Sequence, residues 1–190
     1  MLTTEVKPAI PDKPRKGLTP GRLLRIVTAL GALALLIFLI VKIYGVYQLS
    51  TEKIYQESYV PYKLSIANIT DTSTFTIIEL YYAEKDYKEV VRQSRNLLSV
   101  LDRERLLIGL SYLQQDEYLR AISWLTRLAD LDNNPYQQPA QFYLALTHLK
   151  NKDYDRAIEL MQSIRDNENH VYKDRFTAQM IADVRLLKWL

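Results

Sequence analysis

Ala83-Glu84-Lys85-Asp86-Tyr87-Lys88-Glu89-Val90-Val91, Gln115-Asp116-Glu117-Tyr118-Leu119-Arg120-Ala121-Ile122 and Asn151-Lys152-Asp153-Tyr154-Asp155-Arg156-Ala157-Ile158 are three versions of one phrase. Each is a polar, acidic turn closed by a Tyr, with a small or β-branched apolar residue three positions later. Each lies between two stretches of helical period. Tyr118 and Tyr154 are 36 residues apart, as are Gly109 and Ala145, and Ala121 and Ala157, while the step from Tyr87 to Tyr118 is only 31. Self-similarity at this period predicts helix pairs that cannot bury their apolar faces alone and therefore stack.

Around that phrase the apolar spacing is helical from Ser73 to Leu190. Thr74 is the expected N-cap of a helix through Ala83, and Asp86 or Tyr87 starts the next, to about Leu101. Further helices are expected near 103–115, 118–131, 138–151, 154–166 and 172–189. Asn133-Asn134-Pro135 and Asp166-Asn167-Glu168-Asn169 break the pattern between units. The expectation is an all-α domain over 73–190: a short α-solenoid of about three helix-turn-helix repeats and a closing helix.

Toward the N-terminus the composition changes. Residues 1–22 carry four Pro and five cations without apolar periodicity, which reads as a disordered basic tail. From Ile26 to Val41 there is no charged residue, and the apolar run continues past Lys42 to Tyr47. Residues 26–47 as a helix would be about 33 Å long, enough to cross a hydrocarbon core of about 30 Å. The run is longer than the apolar region of a cleavable signal peptide, and the Lys-Ile-Tyr-Gly-Val-Tyr after it is bulky where a signal peptidase reads. Residues 23–47 are therefore expected to be an uncleaved transmembrane signal anchor. Lys7, Lys13, Arg15, Lys16, Arg22 and Arg25 precede the run, which places the N-terminus in the cytoplasm and the repeats outside it. Residues 48–72 form a juxtamembrane strap: a short helix continuing from the membrane, then an extended stretch, since Pro61 forbids a continuous helix.

The second and third units resemble the tetratricopeptide repeat. Gly109, Tyr112, Tyr118 and Ala121, then Ala145, His148, Tyr154 and Ala157, occupy the family's small, aromatic, Tyr and Ala places. The first unit departs from the pattern, with Ile78 at the small place and Val90 at the Ala place. The whole layout is also similar to small membrane-anchored repeat proteins of Bacteroidota, through Pro61-Tyr62, Tyr143-Leu144-Ala145-Leu146, Asp153-Tyr154 and His170-Val171-Tyr172. This resemblance implies a cell-envelope interaction protein of the bacterial inner membrane with a periplasmic repeat domain. If the family's groove positions carry over, Phe75, Glu79, Tyr82, Leu106, Leu110, Leu113, Phe142, Leu146 and Leu149 line an apolar partner groove, or are covered by the strap or the closing helix Arg175 to Leu190. An open groove implies that Leu110→Asp abolishes partner capture and leaves helical content intact. The Lys and Asn of the family's carboxylate clamp are absent from these places.

Chemistry is not expected. The chain has no Cys, which excludes thiol catalysis, thiolate metal sites and disulfides. There is no Gly-rich phosphate loop, no Gly-x-Ser-x-Gly and no His-Glu-x-x-His, and the two histidines, His148 and His170, are 22 residues apart. The net charge of +3 is spread along the chain, which argues against a nucleic-acid partner. The expected partners are a protein segment and the lipid bilayer through residues 26–47, with no cofactor and no small-molecule substrate. The function expected is a membrane-anchored scaffold or adaptor. The alternative is a regulatory transducer that couples periplasmic binding to a cytoplasmic regulator such as a sigma-factor system. A eukaryotic organelle receptor with the sides inverted is a third reading.

Overall fold

The computed structural model describes residues 20–47, 49–64 and 76–190; within the first stretch it describes the side chains of 21, 24, 25, 27–41 and 43. Among these residues the chain is all-helical, with no strand, and its helical hairpins are compatible with a short α-solenoid. It divides into two units, Met1–Gln48 and Leu49–Leu190.

In the first unit α1 runs from Pro20 to Tyr47, 28 residues. Most of the expected tail, 1–19, lies outside the described residues, but Pro20 to Arg22 belong to α1 and not to the tail. Proline suits a first helical position because the N–H it lacks would have no intrahelical acceptor there. The described large apolar side chains of α1, from Leu24 and Val27 through Phe38 to Ile43, are all exposed. Among the described residues no helix is long and apolar enough to cross a membrane, the uninterrupted run of described side chains in α1 being 27–41.

The second unit opens with α2 (Thr51–Ser58), which does not continue α1. Ser50 is extended and its hydroxyl accepts from the Lys53 N–H at 3.1 Å, so α2 has an N-terminus of its own. Residues 59–64, with Pro61, have no regular secondary structure. The rest of the expected strap, the expected cap Thr74 and Phe75 fall in 65–75, outside the described residues.

Three hairpins follow: α3 (Ile77–Ala83) with α4 (Tyr87–Ser94), α5 (Asp102–Gln114) with α6 (Tyr118–Ala129), and α7 (Gln137–Lys150) with α8 (Tyr154–Asp166). A 3-10 turn, Lys173–Arg175, leads to the closing helix α9 (Ala178–Leu187). The observed cap of α3 is Thr76, which exchanges hydrogen bonds with Glu79.

The repeated phrase is repeated in the backbone as well. Lys85, Asp116 and Lys152, each two residues before the phrase's Tyr, have positive φ of 61°, 59° and 61°. In each turn the next N–H reaches back five residues, from Asp86 to the Tyr81 carbonyl, Glu117 to Tyr112 and Asp153 to His148, at 2.9–3.0 Å. These bonds end the first helix of each hairpin by the left-handed route that usually falls to Gly. Asp86 and Asp153 then cap the second helices by accepting from the Glu89 and Arg156 N–H groups. The Tyr rings follow on α4, α6 and α8, and the small residues Ala121 and Ala157 are fully buried.

Gly109 shows why the small place matters. A Cβ there would lie 2.8 Å from Leu125 Cδ2 and 3.3 Å from Trp124 Cβ, so α5 and α6 approach closely enough that any larger residue would force Leu125 to move.

Two helices differ from the spacing-based expectation. α4 stops at Ser94, not near Leu101, and has 8 residues where α6 has 12 and α8 has 13. This is the structural form of the short 31-residue step. α9 starts at Ala178, not 172, because the segment before it is drawn into the core: His170 and Phe176 are buried, and Phe142 stacks on Tyr172 at 4.2 Å.

Candidate functional site

The inner helices α3, α5 and α7 carry the expected groove residues. Phe75 lies outside the described residues. The other eight, Glu79, Tyr82, Leu106, Leu110, Leu113, Phe142, Leu146 and Leu149, are buried, with exposures from 0 to 8 %. They were expected either to line an open groove or to be covered by the strap or the closing helix, and here they are buried within the chain itself. Glu79 accepts from the Thr76 N–H at 3.0 Å and pairs with Arg103, so its buried carboxylate is committed to the fold. Phe142 is covered by Tyr172 and Phe176 from the segment before α9.

What lies across α7 is α2 and the stretch after it. At the C-terminal end of α7, the Lys150 amine binds Glu52 at 2.7 Å and sits 5.0 Å from the Tyr55 ring centre. Burial by itself would push the Lys150 amine down. The Glu52 hydrogen bond, with Tyr118 and Asp116 nearby, outweighs it and leaves the amine above its ordinary value. Farther along, Tyr59 meets Tyr143 edge to face at 6.2 Å and accepts from the Gln114 side chain at 2.9 Å. Tyr143 donates to the Val60 carbonyl at 2.6 Å, and Tyr62 stands against the same ring at 6.3 Å. The segment therefore runs opposite to α7, from its C-terminal end toward its N-terminal end. Ile54, Tyr55 and Ser58 are buried in this contact, and the Ser58 hydroxyl donates to the Ile54 carbonyl at 2.8 Å.

Tyr55, Tyr59, Tyr62, Tyr82, Tyr143 and Tyr172 form a phenol-rich interface. Burial raises the pKa of all six, so each hydroxyl stays protonated at neutral pH and able to donate. The site residues that the periodicity argument missed are Tyr55, Tyr59 and Tyr62. Their spacing of four and three residues is close to a helical period, with Tyr55 on α2 and Tyr59 at its C-cap, and was a visible signal.

The two histidines have structural work. His148 Nδ1 lies 2.9 Å from Asp153 in the third repeated turn. His170 is buried, its Nδ1 accepts from the Tyr172 N–H at 3.2 Å, and burial lowers its pKa below the ordinary 6.5. The unfolded chain therefore takes up a proton near pH 6.5 that the folded chain refuses, so stability is full above that pH and falls as pH drops toward the depressed value. Urea midpoints measured between pH 7.5 and 5.5 should fall with acid in the wild type, and less steeply in His170→Gln.

A second concavity lies between the α4–α5 connection, α5 and α6. Where α4 ends early, Leu98, Ser99 and Val100 of the α4–α5 connection face Arg105 of α5 and Ser123, Trp124 and Arg127 of α6 across a cavity of about 540 Å³. No group of His, Asp or Glu among the described residues could hold a metal ion.

Comparison with known proteins finds no matching family model, no matching curated protein and no matching solved structure.

Proposed function

We propose that this chain is a membrane-anchored protein-interaction scaffold of the tetratricopeptide-repeat type, whose inner face accepts a peptide segment. One observation carries the reading: that face already holds a peptide, residues 49–64 of the same chain, through tyrosine rings, one ion pair and hydrogen bonds to its backbone and side chains. A partner segment of the same chemistry would compete for the same contacts. Support for the anchor comes from the sequence of 26–47 and from a 28-residue α1 with exposed apolar side chains. At about 1.5 Å per residue such a helix exceeds a hydrocarbon core of about 30 Å. The basic residues before it support a cytoplasmic N-terminus and a periplasmic repeat domain in a bacterial inner membrane. Held at a membrane, the repeats would meet other membrane-bound proteins at a raised effective concentration.

The transducer reading has its own support. The segment on the inner face follows directly on the proposed anchor in sequence, so a competitor that displaces it would free the stretch adjoining that helix from the repeats.

Two measurements test the proposal. Carbonate extraction of membranes should leave the full chain in the pellet, and release into the supernatant would remove the anchor. A synthetic peptide of residues 49–64 should bind full-length Tyr59→Ala/Tyr62→Ala at least about tenfold more tightly than wild type, because the truncated strap competes less well. Equal or absent binding to both forms refutes a displaceable inner face.

A further inference from the structure

The cavity left by the early end of α4 carries an arrangement that the repeat fold does not need. The connection to the next hairpin spans 95–101 after α4 and 130–136 after α6, so the two steps differ in the second helix itself: α4 has 8 residues where α6 has 12. Two arginines line the resulting notch. Among the described residues Arg105 has its Nε buried without a hydrogen-bond partner, and the one bond from its guanidinium is a long 3.5 Å contact to the Val100 carbonyl. Arg127 is exposed. Among the described residues neither forms an ion pair, a state that exposed Arg95, Arg175 and Arg185 share, and what marks the notch is the buried, unpartnered Nε of Arg105. A desolvated guanidinium N–H left unpaired is unfavourable, and a carboxylate entering the notch would satisfy it.

The rest of the wall sets what else the ligand must be. Ser99 and Ser123 add hydroxyls, while Trp124 and a fully exposed Leu98 add apolar surface at the same opening. Exposed Asp130 and Asp132 follow α6 directly and repel an extended anionic surface, which favours one carboxylate reaching inward over a lipid headgroup layer. We propose that this notch binds a single carboxylate side chain, flanked by an apolar residue, in a segment of a partner protein. Arg105 and Arg127 hold the carboxylate as a fork, and Leu98 and Trp124 hold its apolar neighbour. The inference rests on the scaffold reading and adds a second binding face, away from the strap.

The test uses full-length protein in detergent micelles and an array of hexapeptides combining Glu or Asp with Leu or Phe, each beside its Gln or Asn counterpart. Wild type should retain the acidic members at least about tenfold more strongly than the amides. Arg105→Gln/Arg127→Gln should lose that preference, and Tyr59→Ala/Tyr62→Ala should keep it. If the double variant has altered circular dichroism, Arg127→Gln alone, at an exposed position, carries the same comparison. No preference in wild type, a preference that survives loss of both arginines, or capture of phosphatidylglycerol vesicles or inorganic phosphate in place of the peptides overturns the proposal. Should the array fail while the 49–64 peptide binds the strap variant, the notch is refuted and the scaffold reading stands.

Discussion

Leu110→Asp is expected to unfold the repeat unit, not to leave it intact and empty-handed. Leu110 is 2 % exposed, on α5 between buried Gly109 and Ser111. Removing the leucine forfeits about 2–5 kcal/mol of burial and packing, and the carboxylate must then be buried uncompensated or drag α5 open. The sum is a loss on the order of 5 kcal/mol, comparable with the roughly 5–15 kcal/mol that holds a typical domain folded. Circular dichroism at 25 °C should show reduced helix, with a urea midpoint far below wild type. A wild-type midpoint for this variant would mean that α5 faces an open groove after all. Leu119→Asp, on an exposed α6 residue, is the control and should change stability by less than about 0.5 kcal/mol.

Phe142→Ala is expected to be nearly as costly and more local. The ring is fully buried, stacked on Tyr172 at 4.2 Å and an interplanar angle of 7°, with Tyr143 at 5.0 Å and Phe176 at 5.5 Å. Truncating a buried Phe costs about 3–5 kcal/mol, and the lost ring contacts lie within that loss. Because Tyr172 and Phe176 rest on this ring, the segment before α9 should lose its seat. Amide exchange over residues 170–176 should quicken more than over α5 and α6, and the thermal midpoint should fall. Unchanged exchange in that segment would show that something other than Phe142 holds it. Phe142→Leu keeps most of the volume and should cost less than half as much.

Both substitutions bear on the residues that the repeat spacing singled out for a partner. The spacing located them correctly on the inner helices, because period fixes which residues share a helix face. It could not distinguish a face turned to a partner from one turned to another part of the same chain, because apolar residues satisfy either. Glu79 is the sharpest instance. As a groove carboxylate it would have been a recognition residue; in the fold it caps α3 and pairs with Arg103.

The notch was legible only in outline. The short step between Tyr87 and Tyr118 announced that one hairpin lacks several residues, but not which helix gives them up. Ser94 and Asn96 are weak helix formers, yet the apolar Leu97, Leu98, Val100 and Leu101 continue a pattern that reads as helix. α4 ends at Ser94, and Glu104 begins the next helix by accepting from the Leu101 N–H at 2.9 Å, leaving residues 95–101 as the connection. Arg105 and Arg127 are 22 residues apart in sequence and become neighbours only across α5 and α6.

The sequence by itself determined the hairpins, since each turn carries its own instructions: an Asp cap in two of them, a Tyr in all three and small residues where helices approach. These are local bonds spanning five residues or fewer, so they can be read from a short window. Tertiary structure alone decided what fills the inner face. Tyr59 and Tyr143 are far apart along the chain, and their contact depends on the sum of many weak apolar terms, which no local pattern encodes.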